Sequence, residues 1–220
     1  MSTNMKGFMG DQIGKLGPAV GRRWKGLMVY SAYQKFVHNP KSARQLANRA
    51  KFGTLGKMGG GLLKALRYGY HKDAQKFSST EVAVFLDTNW RRVSVNPTTL
   101  AVTVNYDEIS LSNGVKNVPI FGQPDFSTSG KVVVPVTDGR IDEDNPATDR
   151  LMVAVYNPAF EKALYNDLTA MRDASEVQVE VPSAWQGCEV HVYGFAVASA
   201  TARDVFTVSD TAYIGSGTLS

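Results

Sequence analysis

Three histidines, one cysteine and a short run of carboxylates are the residues in this sequence that would first suggest a reaction. Cys188 and His191 stand three apart. In an extended segment that spacing sends the two side chains to opposite faces, so they cannot converge on one metal. The other histidines, His38 and His71, have no companion at a ligand spacing. Nucleophilic catalysis needs Ser or Cys beside a His with an orienting acid. No Gly-x-Ser-x-Gly elbow, His-Glu-x-x-His pair or phosphate loop is written here. The Gly21 to Gly26 spacing lacks the Lys-Ser/Thr that a phosphate loop requires. Asp142-Glu143-Asp144 with Asp149 sits in turn-rich text without the EF-hand spacing, and reads as a hydrated loop. A single cysteine excludes an internal disulfide framework and any multi-cysteine metal site. The expectation is a non-enzymatic chain with no catalytic, metal or cofactor residues.

The remaining chemistry is cationic and aromatic. Residues 1–76 hold fifteen Lys or Arg against only Asp11 and Asp73, a net +13, while the rest of the chain carries −9. Such asymmetry points to a basic segment with an anionic partner. The candidate partner-binding residues are Lys15, Arg22, Arg23, Trp24, Lys25, Tyr30, Tyr33, Arg44, Arg49, Lys51, Lys57, Lys64 and Arg67. Three partners fit: nucleic acid, an anionic membrane face, or the acidic part of a neighbouring copy. Folding back onto the chain's own acidic portion is the plainer possibility. Trp24, Tyr30 and Tyr33 would stack on bases or anchor a protein interface, where Trp, Tyr and Arg are enriched. No base-reading geometry is written, so nucleic-acid binding would be sequence-tolerant and salt-sensitive. The protein interface ranks first, because it accounts for glycines and aromatics as well as charge.

Twelve of the twenty glycines lie in the first 76 residues. Each interior Gly costs a helix about 1 kcal/mol relative to Ala, and Pro18 would interrupt one. The opening is therefore expected to be an extended arm, with a loose hairpin over Gly14–Tyr33 broken near Arg22–Gly26. Asn39-Pro40 reads as a helix start, followed by a small apolar stripe of Ala43, Leu46, Ala47 and Ala50. Gly53, Gly56 and Gly59-Gly60-Gly61 should break that helix, and a second short one should cover Leu62–Tyr70.

From about Ser78 the text alternates. Val93/Val95, Val102/Val104, Val132/Val134/Val136, Met152–Val155, Val177/Val179/Val181 and Val190/Val192 all read as strands. Asn96-Pro97, Asn113-Gly114, Ser129-Gly130, Asp138-Gly139, Asn157-Pro158 and Gln186-Gly187 separate them. The fold class expected is mainly β: an immunoglobulin/fibronectin-like antiparallel β-sandwich at 78–220, preceded by a basic Gly-rich arm with short helices at 1–77. Glu189–Ala198 is apolar on both alternating faces and belongs in a sheet interior, with Trp185 as a core anchor. Asn157–Arg172 is expected to make a helical excursion between strands.

The 220 residues, 43% hydrophobic and 20% charged, suit a globular chain rather than a disordered or fibrous one. No apolar run approaches the roughly 20 residues of a membrane helix, and no apolar core follows Lys6 as a secretory signal would need.

Gly14-Lys15-Leu16-Gly17-Pro18-Ala19-Val20-Gly21 leading to Trp24-Lys25-Gly26, then Gln45 through Arg49-x-Lys51-Phe52, resembles a family without an assigned activity. That family is widespread in Bacteroidetes bacteria and in phage-like elements that infect or inhabit them. The likeness continues at Tyr156-Asn157-Pro158 and Val190-His191-Val192-Tyr193-Gly194-Phe195. The resemblance implies a basic N-terminal signature joined to a β domain, with a virion or mobile-element setting and no catalytic residue. The leading expectation is a multi-copy phage virion component, found in the virion or in the host cytoplasm before assembly. Its arm would dock on other copies of itself, on neighbouring virion proteins, or on the genome. A sequence-tolerant nucleic-acid-binding protein is the second reading and a surface adhesin or glycan-binding sandwich the third.

Overall fold

Tight turns rather than apolar burial shape residues 13–36. The computed structural model describes residues 13–36, 41–199 and 207–220, and its contacts divide the chain into Met1–Lys41 and Ser42–Ser220. In the first unit β1 (Gly14–Leu16), β2 (Ala19–Trp24) and β3 (Leu27–Ala32) form an antiparallel sheet in that order. Lys25 and Gly26 join β2 to β3 with φ of 45° and 81°, the two positive values of a type I′ hairpin turn. The expected loose hairpin is thus a three-stranded meander.

The second unit begins with helices. Asn39 and Pro40, expected to start the first, lie outside the described residues. Ser42 caps it instead, its hydroxyl accepting from the Gln45 amide at 3.3 Å. Helix α1 (Ala43–Gly61) then runs unbroken through Gly53, Gly56 and Gly59, correcting the expected glycine hinge. The reason is packing. Leu55, Met58 and Leu62 are buried, and a Cβ on Gly59 would lie 3.1 Å from the Phe85 ring. The glycines on that face let other elements close in, and the burial offsets their poor propensity. Next come α2 (Leu63–Gly69), α3 (His71–Lys76) and α4 (Glu81–Asn89), the last capped by the Thr80 hydroxyl. Alternation was expected from about Ser78, but the first strand of this unit starts at Val93.

The strands follow as β4 (Val93–Val95), β5 (Val102–Val104), β6 (Ile120–Phe121), β7 (Lys131–Asp138), β8 (Arg150–Asn157), β9 (Lys162–Tyr165), β10 (Glu176–Glu180), β11 (Glu189–Val197) and β12 (Ala212–Thr218). They make a β4-β5 hairpin, a β10-β7-β6 sheet and a β12-β11-β8-β9 sheet, paired antiparallel throughout. The described fold is mainly β. Because β11 pairs Tyr193 with Ala154 and Val192 with Val155, the central strands present two apolar faces. Leu151, Val153, Val155 and Val192 pack with Val132, Val134, Val177 and Val179 of the smaller sheet. Met152, Ala154, Tyr193 and Phe195 pack with Leu55, Leu62, Leu66 and Phe85 of the helices.

Three expectations change here. An immunoglobulin-like sandwich has two layers, whereas this unit has three, with helices covering the back of β8 and β11. The helices placed in the arm up to residue 77 belong to the second unit, because their apolar stripe completes its core. Residues Asn157–Arg172 are not a helical excursion either. The Asn157 side chain accepts from the Ala159 amide at 2.9 Å, Glu161 turns at φ 53°, and the chain returns as β9.

The two neighbouring glycines at the end of α1 should respond oppositely to alanine. Gly60 is exposed with open space at its Cβ position, while a Cβ on Gly61 would strike the Glu161 carbonyl. Gly60→Ala is expected to stabilise by about 0.5–1 kcal/mol. Gly61→Ala should cost about 1–3 kcal/mol. Urea melts of the two variants measure both signs.

Candidate interaction surface

Paired residues on adjacent strands share a face, so the register of the N-terminal meander sorts its side chains. One face carries Trp24 beside Leu27, Arg22 beside Val29, and Lys15, Val20 and Ser31 in a row. The Lys15 ammonium sits 4.1 Å from the centre of the Tyr33 ring. The opposite face carries Arg23 beside Met28, then Gly21 beside Tyr30, then Leu16, Ala19 and Ala32. Trp24 is 52% exposed, Leu27 51%, Tyr30 54% and Tyr33 40%. Among residues 13–36 only Gly21 is buried. That stretch holds five basic residues, with Lys35 the fifth, and no acidic one. A small sheet normally needs an apolar face packed on something, and among the described residues of this one Trp24, Leu27, Tyr30 and Tyr33 are exposed.

The structure divides the thirteen expected partner-binding residues. Lys15, Arg22, Arg23, Trp24, Lys25, Tyr30 and Tyr33 lie on the meander or its turn. Arg44, Arg49, Lys51, Lys57, Lys64 and Arg67 lie on α1 and α2 of the second unit. Several of the latter have local partners. Lys51 lies 4.8 Å from the Trp90 ring, and its pKa is drawn below the ordinary lysine value by burial. Lys57 pairs with Glu161 at 2.9 Å, and Lys64 lies 5.4 Å from the Tyr165 ring. Arg44, Arg49 and Arg67 are exposed.

His191 stacks on Tyr106 with ring centres 4.0 Å apart, and its Nδ1 lies 3.2 Å from the Tyr213 hydroxyl. The neighbouring Tyr193 hydroxyl donates to the Tyr106 carbonyl at 2.8 Å. Burial holds the imidazole below its usual value of 6.5, against a smaller opposing pull from Glu189. The unfolded chain therefore binds a proton first as pH falls. The stability tied to neutral His191 is complete above about pH 6.5 and is lost on acidification through the depressed folded value. Thermal melts of wild type and His191→Phe should diverge least below that window, where the wild type has lost its advantage.

The acidic loop is occupied by its own backbone. Asp142 accepts from the amides of Asp144 and Asn145 and from the Asn145 and Asn117 side chains, at 2.7–3.0 Å. The Asn145 side chain first, and then the Asn145 and Asp144 amides, hold its pKa below the usual carboxylate range.

Two features escaped sequence reading. The first is a buried polar knot. Arg172 Nε donates to Asp149 at 3.2 Å, Nη1 to the Gly139 carbonyl at 2.6 Å, and Nη2 to the Asn117 carbonyl at 3.0 Å and Asn145 Oδ1 at 3.2 Å. Lys116 Nζ adds an ion pair to Asp149 at 3.0 Å. Nothing in the local sequence distinguishes this arginine. The second is a cleft of about 960 Å³ along the edges of β9 and β10, walled by Asp167, Glu176, Gln178 and Glu180, with Lys131 at one end. The alternation in Glu176-Val177-Gln178-Val179-Glu180 marks a half-buried strand, but not which strand lies at an edge.

Among the described residues no helix is long and apolar enough to cross a membrane. Residues 10–215 match the model of a family of unknown function, DUF6266. No curated protein and no solved structure matches the chain.

Proposed function

We propose that this chain, which belongs to the DUF6266 family, is a non-enzymatic structural protein that works in several copies, its N-terminal sheet docking on a neighbouring subunit. The observation that carries this reading is the open meander, with Trp24, Leu27, Tyr30 and Tyr33 exposed among five cations and no acid. Trp, Tyr and Arg dominate interface energetics because they bury large rigid area with a polar or charged tip. The sequence resemblance supports a phage-like virion as the setting, where the chain would be found in purified particles by mass spectrometry.

Sedimentation of the full-length protein tests the reading. Wild type should associate with rising concentration. Trp24→Ala with Tyr30→Ala should weaken that association by roughly thirtyfold, from the loss of about 2 kcal/mol at hot-spot positions. A wild type that stays monomeric at every concentration ends the proposal. Sequence-tolerant nucleic-acid binding draws on the same faces, since Arg22 and Lys15 lie beside Trp24 and Tyr33. A log-linear loss of oligonucleotide binding with salt would identify it, whereas association by aromatic burial survives salt.

A further inference from the structure

We propose that the acceptor for the N-terminal sheet is the open edge of β10 and the acidic cleft beside it on a second copy of this chain, joined strand to strand with β3. This rests on the reading that the meander works between copies.

The backbone supplies the first reason. Among the described residues strand β10 ends its sheet. Its ladder to β7 pairs Val177 with Val134 and Val179 with Val132. It is flanked by bonds from Val136 N to the Ser175 carbonyl and from Val181 N to the Gly130 carbonyl, at 2.8 and 2.9 Å. Those bonds set the phase: odd-numbered residues of β10 turn their N–H and C=O toward β7, and Glu176, Gln178 and Glu180 turn theirs outward. Among the described residues strand β3 ends the meander. The two-residue turn at Lys25-Gly26 and the bond from Tyr33 N to the Pro18 carbonyl point Leu27, Val29 and Ser31 toward β2. Met28, Tyr30 and Ala32 then face outward. Each edge offers three residues with outward backbone groups at the same two-residue spacing, which is what addition of a strand to a sheet edge requires.

Charge supplies the second reason. The cleft wall presents Asp167, Glu176 and Glu180 against Lys131. Residues 13–36 bring exposed Lys15, Arg22 and Lys35, with no acidic residue in that stretch. Charged side chains along a sheet edge hinder pairing with a second acidic edge. Strand β3 is itself uncharged, but Arg22 of β2 lies beside its Val29 and Lys35 follows it, so the glutamates favour this sheet through the cations that flank the joining strand.

Full-length variants with exposed substitutions test the site. Glu176→Lys with Glu180→Lys reverses the acceptor, and Arg22→Glu with Lys35→Glu reverses the sheet. Each double variant, folded by far-UV circular dichroism, should self-associate about tenfold more weakly than wild type in sedimentation velocity. Mixing the two should restore association as a mixed species. Gln178→Pro removes one outward N–H while leaving the β7 ladder intact, and should weaken association without the charge change. If the acceptor variants associate like wild type while the Arg22/Lys35 variant does not, this acceptor is wrong and the docking function stands. A wild type monomeric throughout defeats both. If all four reversals in one chain restore a melting temperature lost in each double variant, without association, the sheet docks within its own chain and the proposal fails.

Discussion

Arg172→Met is expected to destabilise the second unit by about 3–5 kcal/mol, measured as a shift in the urea midpoint at constant slope. The guanidinium is fully buried and ties together pieces of chain far apart in sequence. It reaches Asn117, Gly139, Asn145 and Asp149, while its own amide donates to the Asp149 and Ala147 carbonyls. Removing it leaves the Asp149 carboxylate in the interior with Lys116 as its remaining cation, and leaves the Gly139 and Asn117 carbonyls short of a donor. Unpaired buried groups carry the cost, so Arg172→Met with Asp149→Asn should recover part of the loss. A single variant within about 1 kcal/mol of wild type would show that water enters the knot and replaces the guanidinium.

Leu66→Ala should cost about 2–5 kcal/mol, since the side chain is fully buried on α2 against the back of the central sheet. The comparison that gives this force is Leu27→Ala in the meander. Leu27 is half exposed, and surface truncations usually move stability by less than about 0.5 kcal/mol. Helices that formed a separate arm would make the two leucines alike. A large loss at Leu66 beside a small one at Leu27 is the thermodynamic form of the division at Ser42. Equal small effects would mean that the second unit's core does not depend on its helical layer.

The correct and incorrect expectations differ in the range of the physics they needed. Valine at every second position specifies a strand with one buried face through local geometry alone, and the expected runs at Val93, Val102, Val132, Met152, Val177 and Val190 fall in strands, with Val181 one residue past β10. Consecutive apolar residues in Glu189–Ala198 require cover on both faces, and β11 lies between β12 and β8 with both faces packed. The glycine-rich helix was misread because propensity scores a glycine by what it loses. What α1 gains appears only when Phe85 and the Glu161 backbone arrive from elsewhere in the chain.

By itself, then, the sequence determined where β4, β5, β7, β8, β10 and β11 run, that the first third is cationic and glycine-rich, and which aromatics accompany the charge. These follow from periodicity, composition and turn chemistry within a few residues. Only the tertiary structure decided that the helices complete the core of the β unit, that Arg172 is an interior tie, and that β10 is an edge with an acidic cleft beside it. Each of those is a relation between segments tens of residues apart, where burial and unpaired backbone are properties of the neighbours a residue acquires rather than of the residue.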